Sequence, residues 1–293
     1  MNTGIIQANV VFKKSEKMNV KIFTAILLIA FSLSGKISSA QQTVPADTDT
    51  LRQVSLFNLK SDDKTMIALT FGQSNAANYG KNPYTPHNAF VYNFHKGKLY
   101  TAKDPLLGAT GKGGSVWTRL GDKLIDSGLY NKVIFIPIAV DGTTIERWVR
   151  GGYCFERLEQ TLKILDSLNI RLTHIFWHQG ESDNVYNTTK EKYKVHLGAI
   201  LQTLRKYQSA KFYVSIASYH SVPIAKPLGV DYAIREAQKE FINENKGVLV
   251  GPDTDTLIHA IHRYDSVHFS DFGMTAFAQL WFNAILNKKE NSH

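Results

Sequence analysis

Short apolar runs alternate along the chain with longer amphipathic stretches, and this alternation is the first indication of the fold. The runs are rich in Ile, Val and Phe, which is typical of strands that are buried on both faces of a sheet. Five runs predict strands: Met66–Phe71, Val133–Ala139, Leu172–Trp177, Phe212–Ala217 and Val248–Val250. Strands that alternate with helices form parallel sheets covered by helices on both faces, so the sequence predicts an α/β fold.

Helical periodicity appears between the predicted strands. Residues 231–244 and 271–286 are predicted to be helical, as are two segments in which apolar residues recur every three or four positions. These residues are Phe155, Leu158, Leu162, Leu165 and Leu168 in the first segment, and Tyr193, Leu197, Ile200, Leu201 and Leu204 in the second. Thr188 and Glu191 have capping-box spacing, which predicts that the second helix begins there.

The amino terminus has the pattern of an export signal. Residues 23–33 form an uncharged apolar run of eleven residues, preceded by lysines and followed by small residues up to Ala40. This pattern predicts a secretory signal peptide over residues 1–40, with Met18 as an alternative start. Eleven residues cannot cross the ~30 Å core of a bilayer as a helix, so no stable membrane anchor is expected. We therefore expect a periplasmic or secreted protein.

Composition and charge exclude several classes of protein. A chain of 293 residues with 43% hydrophobic and 20% charged residues is not a collagen, a disordered chain or a polytopic membrane protein. The net charge is +9, and residues 1–40 hold five Lys and one Glu (+4), which leaves +5 for the remainder. No dense Lys/Arg run is present, so no nucleic-acid partner is expected.

The single cysteine and the polar segment after the signal complete the domain organisation. Cys154 has no second cysteine to pair with, so the mature protein is expected to depend on its core for stability. Residues 41–63 are polar and predict a linker or N-terminal arm. Residues 64–288 are expected to form one further domain.

Polar clusters follow three predicted strands, at the edge where parallel sheets bind ligands. A fourth cluster precedes the last predicted helix. The clusters read Gly72-Gln73-Ser74-Asn75, Asp141-Gly142-Thr143-Thr144, His178-Gln179-Gly180-Glu181-Ser182-Asp183 and Asp265-Ser266-Val267-His268. Because the carboxyl ends of parallel strands share one edge, the sequence predicts that these side chains converge on one site.

The clusters contain the parts of a serine hydrolase. Ser74 lies on a turn after a strand, where a base could activate its hydroxyl; the alternative is a serine that caps a helix. The spacing of Asp265 and His268 allows the carboxylate to orient the imidazole, the alternative being an N-cap aspartate beside an unrelated histidine. The N–H groups of Ser74 and Gly142 and the Gln179 amide are candidate oxyanion donors. Gln179 could instead be a structural amide that holds loops together.

Taken together, the four clusters resemble the conserved blocks of the SGNH/GDSL hydrolases. More narrowly, they are similar to the sialate O-acetylesterase-like branch, which includes the acetylxylan esterases of carbohydrate esterase family six. The resemblance covers nearly all of the predicted mature chain. It implies a three-layer α/β/α sandwich of the flavodoxin-like SGNH type with a mostly parallel, five-stranded sheet, and it implies no metal or organic cofactor.

The resemblance also implies roles for individual residues and a reaction. Ser74 would be the nucleophile, His268 the general base and Asp265 its orienting acid. Ser74, Gly142 and Gln179 would form the oxyanion hole. We interpret six residues as supports of the pocket: Gly72, Gln73, Asn75, Gly180, Glu181 and Asp183. The expected substrate is an acetylated sugar or glycan, deacetylated through an acetyl-enzyme.

Other interpretations of the same residues remain open. Glu181 and Asp183 could be catalytic acids, although Asp265 has the better spacing to His268. Trp148 and Tyr186 are the aromatic residues that we expect to contact a sugar. The chain could also be a short-chain esterase or thioesterase of non-carbohydrate substrates, or a non-catalytic glycan-binding protein.

Two sequence features resemble sites of other kinds and are set aside. The glycine-rich segment 108–115 has Gly113 after Lys112, where a phosphate-binding loop needs Ser or Thr, so we expect a flexible loop. His174 and His178 would lie ~13 Å apart on one strand face, too far to share a metal ion.

Overall fold

The computed structural model describes residues 48–59, 62–222 and 226–290. The predicted signal peptide and the alternative start at Met18 lie outside these residues. Within them, no helix combines the length and the apolar character needed to cross a membrane.

A central sheet of eight strands organises the part of the chain that the structure describes. Its order is β1-β4-β3-β5-β2-β6-β7-β8, in which β3, β5, β2, β6, β7 and β8 run parallel, whereas β4 is antiparallel to both β3 and β1. The strands are β1 (Gln53–Val54), β2 (Thr65–Gly72), β3 (Val91–His95), β4 (Lys98–Thr101), β5 (Lys132–Pro137), β6 (His174–His178), β7 (Lys211–Ile216) and β8 (Val248–Asp253).

The expected mostly parallel sheet is confirmed, but the expected number of five strands is too low. The five predicted strands correspond to β2, β5, β6, β7 and β8. The prediction missed the β3–β4 hairpin, whose two-residue turn is Lys96-Gly97, with φ values of 46° and 76°. Such turns usually contain Asn-Gly or Asp-Gly, so Lys-Gly gave no clear signal. It also missed β1, which lies in the segment predicted as a linker or arm.

Over the residues that the structure describes, six α-helices and two hydrophobic clusters complete three layers. The α-helices are α1 (Val116–Asp126), α2 (Tyr153–Ser167), α3 (Glu181–Val185), α4 (Lys190–Arg205), α5 (Tyr232–Glu244) and α6 (Asp271–Glu290). Leu69 of β2 belongs to the cluster that includes α2, α4 and α5, whereas Ala68 belongs to the cluster that includes α1 and α6. Alternate residues of a strand face opposite sides of a sheet, so helices cover both faces and the expected α/β/α sandwich is confirmed.

Two local predictions were wrong in detail. The side chain that caps α4 belongs to Thr189, whose Oγ1 accepts from Lys192 N at 3.2 Å, and not to Thr188. The glycine-rich segment 108–115 is mostly buried rather than a flexible loop, because its backbone pairs with the chain after Ser74. Asn78 N donates to Thr110 O at 2.9 Å in that pairing.

The carboxyl ends of β6 and β7 approach so closely at Gly180 that only glycine fits there. Gly180 has φ of +151°, and a Cβ at this position would collide with the Ala217 carbonyl. We expect Gly180→Ala to lower the free energy of unfolding by at least about 2 kcal/mol, from backbone strain and overpacking together. Urea unfolding followed by circular dichroism measures the change.

Gly198 offers the matched control for that measurement. It lies within α4, and a Cβ there meets no heavy atom within 4 Å other than those of its chain neighbours and its own helix backbone. Gly198→Ala should therefore raise the free energy of unfolding by about 0.5–1 kcal/mol, because alanine restricts the unfolded chain more than glycine does. A Gly180→Ala protein as stable as the wild type would contradict the close approach.

Candidate active site

The nucleophile candidate lies on the turn that follows β2. Gly72, with φ of +131°, ends the strand where a Cβ would collide with the His178 carbonyl, and Gln73 N donates to that carbonyl at 3.1 Å. Ser74 begins a single 3-10 turn, Ser74–Ala76. The turn of β2 is therefore held directly against the end of β6.

The Ser74 hydroxyl is not engaged as a helix cap. The N-cap position of the turn is Gln73, and it carries no side-chain cap bond. Ser74 is 4% exposed, and among the described residues its hydroxyl has no hydrogen-bond partner. The 3-10 turn that Ser74 begins is only three residues long, so no long helix directs its dipole at the hydroxyl. Any activation of the hydroxyl must therefore come from a side chain.

Asp265 and His268 form a short, charge-assisted pair. Asp265 Oδ2 lies 2.6 Å from His268 Nδ1, and Oδ1 accepts the backbone N–H of Val267 at 3.0 Å and of His268 at 2.6 Å. Both residues precede α6, so Asp265 does not cap that helix; a loop with Ser266 at φ of +70° makes the turn. Burial acts to raise the pKa of Asp265, but the hydrogen bonds from His268 and Val267 outweigh it and lower that pKa.

The chain segments that carry Ser74 and His268 touch each other. Asn75, the residue after Ser74, donates from Nδ2 to the carbonyl of Val267, the residue before His268, at 3.4 Å. The Tyr79 ring packs against the His268 ring, with 5.1 Å between centroids. The predicted nucleophile and base therefore lie in adjacent segments at one edge of the sheet.

A buried arginine that the sequence analysis missed supports the His268 loop. Arg263 Nη1 donates to Val267 O at 2.6 Å, Nε to Leu257 O at 2.8 Å and Nη2 to Thr254 O at 3.2 Å. Its guanidinium carbon lies 3.7 Å from the centre of the Phe269 ring. Burial lowers the pKa of Arg263 to about 10. No spacing pattern marks this residue in the sequence, because all of its hydrogen bonds go to backbone carbonyls.

Glu181 belongs to a buried network with His178 and Asn75. Glu181 Oε1 lies 3.1 Å from His178 Nε2 and 2.9 Å from Asn75 Nδ2, and all three residues are almost fully buried. Burial alone would raise the pKa of Glu181, but the His178 charge and the hydrogen bonds from His178 and Asn75 hold it at about 2. Glu181 thus holds Asn75, and Asn75 contacts the His268 loop.

Asp183, Gln73 and Gln179 form a second buried set. Gln179 Nε2 donates to Asp183 Oδ2 at 2.5 Å, to Gln73 Oε1 at 3.1 Å and to Thr143 O at 3.0 Å. Burial raises the pKa of Asp183 to about 6. Since an amide has two N–H protons, Gln179 has none left for an oxyanion. The geometry matches the alternative role, a structural amide that holds loops together.

The two backbone donors predicted for the oxyanion hole differ from the Gln179 amide in their hydrogen bonding. Neither the Ser74 N–H nor the Gly142 N–H has an acceptor within the described residues. Gly142 follows β5, the neighbour of β2, and its φ of +63° is one that glycine adopts readily. Two free N–H groups on neighbouring strand ends are suited to hold a developing negative charge.

Sequence comparison places this site in a known family. The family described as "Carbohydrate esterase, sialic acid-specific acetylesterase" matches residues 64–287, which is most of the chain. The chain belongs to this family. The narrower resemblance drawn from the four polar clusters is therefore confirmed.

One curated relative and several solved structures resemble this carbohydrate esterase family member. A probable carbohydrate esterase of Arabidopsis thaliana is 27% identical over 105 residues, which span 35% of this chain and 38% of that protein. The crystal structure of an Arabidopsis thaliana protein has a TM-score of 0.61 at 18% identity, covering 76% of this chain and 98% of that one. The crystal structure of NanS has a TM-score of 0.54 at 14% identity, and the match covers 79% of this chain and 99% of the NanS chain. At these identities, the structural likenesses show the fold alone.

The two expected sugar contacts have different environments in this family member. Trp148 is 0% exposed, its ring packs edge-on against Phe71 and Trp177, and its Nε1 donates to Thr143 Oγ1 at 3.1 Å. The prediction for Trp148 was therefore wrong, because its indole belongs to the core. Tyr186 follows α3 and is 71% exposed, so sugar contact there stays a prediction.

The part of the family member that the structure describes offers no metal centre. It contains no group of three or more His, Cys, Asp or Glu side chains able to hold a metal ion. Cys154 is buried, and burial raises the pKa of its thiol to about 12.

Among the residues of this site, Glu181 should have the largest effect on the free energy of unfolding, because it belongs to a buried network. We expect Glu181→Gln to lower the free energy of unfolding at pH 7 by about 3–5 kcal/mol, because it leaves buried His178 without its carboxylate. Glu240→Gln is the matched control, since Glu240 pairs with Lys190 and Lys194 at the surface and should cost less than about 1 kcal/mol. Urea unfolding measures both changes.

The pairing of Glu181 with His178 also predicts how the stability of the protein depends on pH. The folded-state pKa of Glu181 lies below its ordinary value of 4.5, at about 2. Its stabilisation is therefore complete above pH 4.5 and is lost as the pH falls through about 2. The stability difference between wild type and Glu181→Gln should shrink over that range. A difference that stays constant down to pH 2 would contradict a charged Glu181.

Proposed function

We propose that the protein is a serine esterase that removes O-acetyl groups from a carbohydrate through an acetyl-enzyme. The observation that carries the proposal is the 2.6 Å bond between Asp265 and His268, on a loop held against the segment of Ser74. Membership of a carbohydrate esterase family supports the reaction class and the acetylated-sugar substrate. The bond leaves Nε2 of His268 available to take a proton.

In the acylation half-reaction, His268 Nε2 accepts the Ser74 proton while Oγ bonds to the acetyl carbonyl carbon. The carbonyl oxygen becomes an oxyanion, for which the N–H groups of Ser74 and Gly142 are the donors. The bond from carbon to the sugar oxygen then breaks, and His268 gives its proton to that oxygen. The sugar leaves with a free hydroxyl, and Ser74 carries the acetyl group.

Deacylation repeats these steps with water. His268 takes a proton from water as the water oxygen bonds to the acetyl carbon, and the oxyanion forms in the same place. The bond to Ser74 Oγ breaks, His268 returns the proton to Oγ, and acetic acid leaves and ionises to acetate in water. Asp265 stays ionised and stabilises the imidazolium in both halves. Gln179 acts in this scheme by holding Gln73 and Asp183, not as an oxyanion donor.

The predicted localisation forms part of the proposal. Residues 1–40 carry the pattern of a signal peptide, so the enzyme would act on glycans outside the cytoplasm. The surplus of +5 on the remaining residues, which is the total of +9 less the +4 of residues 1–40, is too small to select an acidic or a neutral glycan.

The first test removes the reacting side chains. Ser74→Ala and His268→Ala should each lower turnover of an aryl acetate at least about a thousandfold, because nucleophile and base act as a unit. A fluorophosphonate probe should label wild-type Ser74 and leave Ser74→Ala unlabelled. Ser167→Ala, at the exposed end of α2, is the control and should keep normal turnover and labelling. Near-normal rates in either active-site variant would end the proposal.

The second test varies the substrate, first in the length of its acyl group and then in its sugar. Aryl esters of increasing acyl length should show activity that falls steeply beyond short chains, as expected of an acetylesterase. Acetate release from a panel of acetylated glycans should then identify the sugar. Efficient hydrolysis of long-chain esters, without acetate release from any glycan, would favour an esterase of non-carbohydrate substrates instead.

A further inference from the structure

A hydrogen-bonded segment after β7 carries a histidine at the sheet edge where Ser74 lies. Ser218 N and Oγ donate to the Asp255 carboxylate at 2.9 and 2.7 Å, and Tyr219 N donates to it at 2.9 Å. Asn184 Nδ2 donates to the carbonyl of Ser218 at 2.8 Å. Buried side chains from two other parts of the chain therefore fix the start of this segment, which continues through His220 to Ser221.

The rule that identified the other site residues applies to this segment as well. Ser218-Tyr219-His220-Ser221 is a polar run directly after a predicted strand, yet the sequence analysis did not select it. The backbone of His220 donates to Gly229 O at 2.8 Å, and Asn184 Nδ2 also donates to Gly229 O at 2.8 Å. His220 therefore has a fixed backbone position at the same sheet edge as Ser74.

The hydrogen bonding of His220 determines where its proton lies. Nδ1 accepts the backbone N–H of Val222 at 3.1 Å, so Nδ1 carries the lone pair. In the neutral imidazole the proton is then on Nε2. Within the described residues the ring makes this one hydrogen bond, and Nε2 has no partner. The ring thus offers one N–H donor for which the described part of the chain supplies no acceptor.

The surroundings of His220 favour the neutral form of its ring. Burial lowers the pKa of His220, and the charges of Glu181, His268 and Asp265 also act on it, with His268 lowering that pKa and the two carboxylates raising it. Burial is the largest of these effects. A charged ring would also bring a proton on Nδ1 against the Val222 N–H.

The order of strands decides which part of a substrate His220 can meet. β5 and β6 are the two neighbours of β2, and β7 lies beyond β6. Gly142, after β5, and His220, after β7, therefore lie on opposite sides of Ser74. If the acetyl oxygen lies towards Gly142, the leaving sugar lies on the other side, where His268 returns the proton.

The geometry points to His220 as a further substrate-positioning residue, whose Nε2–H donates a hydrogen bond to an oxygen of the sugar that leaves Ser74. This assignment rests on the proposed deacetylation of a carbohydrate. It adds a group that recognises the sugar rather than the acetyl group. An aryl acetate has no hydroxyl groups beside the ester, so it cannot use this donor.

The test compares the two kinds of substrate in variants of His220. His220→Phe keeps a ring and removes the donor, and it should lower kcat/KM for the acetylated sugar about 3- to 10-fold, mainly through KM. Hydrolysis of the aryl acetate should change less than about twofold. His220→Gln restores an N–H donor and should recover much of the loss. Ser221→Ala, in the same segment, is the control and should match the wild type on both substrates.

Several outcomes would overturn the inference. Equal losses on both substrates would show that His220 acts on the fold or on catalysis in general, and thermal unfolding of each variant would separate these two. A shift in the apparent pKa of the pH–rate profile, seen with both substrates, would show that His220 acts through His268. Unchanged sugar kinetics in His220→Phe would refute the inference alone. Wild-type enzyme that hydrolyses aryl acetate but no acetylated sugar would refute the proposed substrate and this inference with it.

Discussion

The carbonyl oxygen of Val267 joins the two parts of the chain on which the site depends. Arg263 donates to it at 2.6 Å and Asn75 at 3.4 Å, so one acceptor binds the loop before His268 to the turn of Ser74. A backbone acceptor suits this task because its position follows directly from the fold of its loop. The separation of the hydroxyl and the imidazole therefore depends on how firmly its two donors are held.

Both donors involve a buried charge, and a buried charge is costly unless other groups compensate it. Glu181 fixes Asn75 and is itself paired with His178, whereas Arg263 has carbonyl groups and an aromatic ring as partners. A buried ion pair often adds little stability compared with apolar residues of the same volume. The pairing of Glu181 with His178 is better understood as a constraint on the position of Asn75. Stability then comes mainly from the two apolar layers on the faces of the sheet.

Much of this arrangement could be predicted from the sequence, because parallel strands deliver their carboxyl ends to one edge. That rule predicted the convergence of the polar clusters and applies equally to His220. Features that depend on packing could not be predicted. Trp148 is an aromatic residue beside a motif, and only the fold shows that Phe71 and Trp177 enclose it. Arg263 supports the site through backbone carbonyls, which leave no trace in residue spacing.

Three carboxylates, those of Glu181, Asp183 and Asp265, are candidates for the catalytic acid. Glu181 and Asp183 lie on the same helical turn, yet the pKa of Glu181 falls to about 2 beside His178, whereas burial raises that of Asp183 to about 6. Opposed shifts often mark an acid and a base, but both side chains are almost fully buried, and their partners belong to the protein. Asp265 is partly exposed and binds His268, whose other nitrogen can accept the proton of the nucleophile. Access to the substrate, rather than the size of a pKa shift, therefore favours Asp265 as the acid that orients His268.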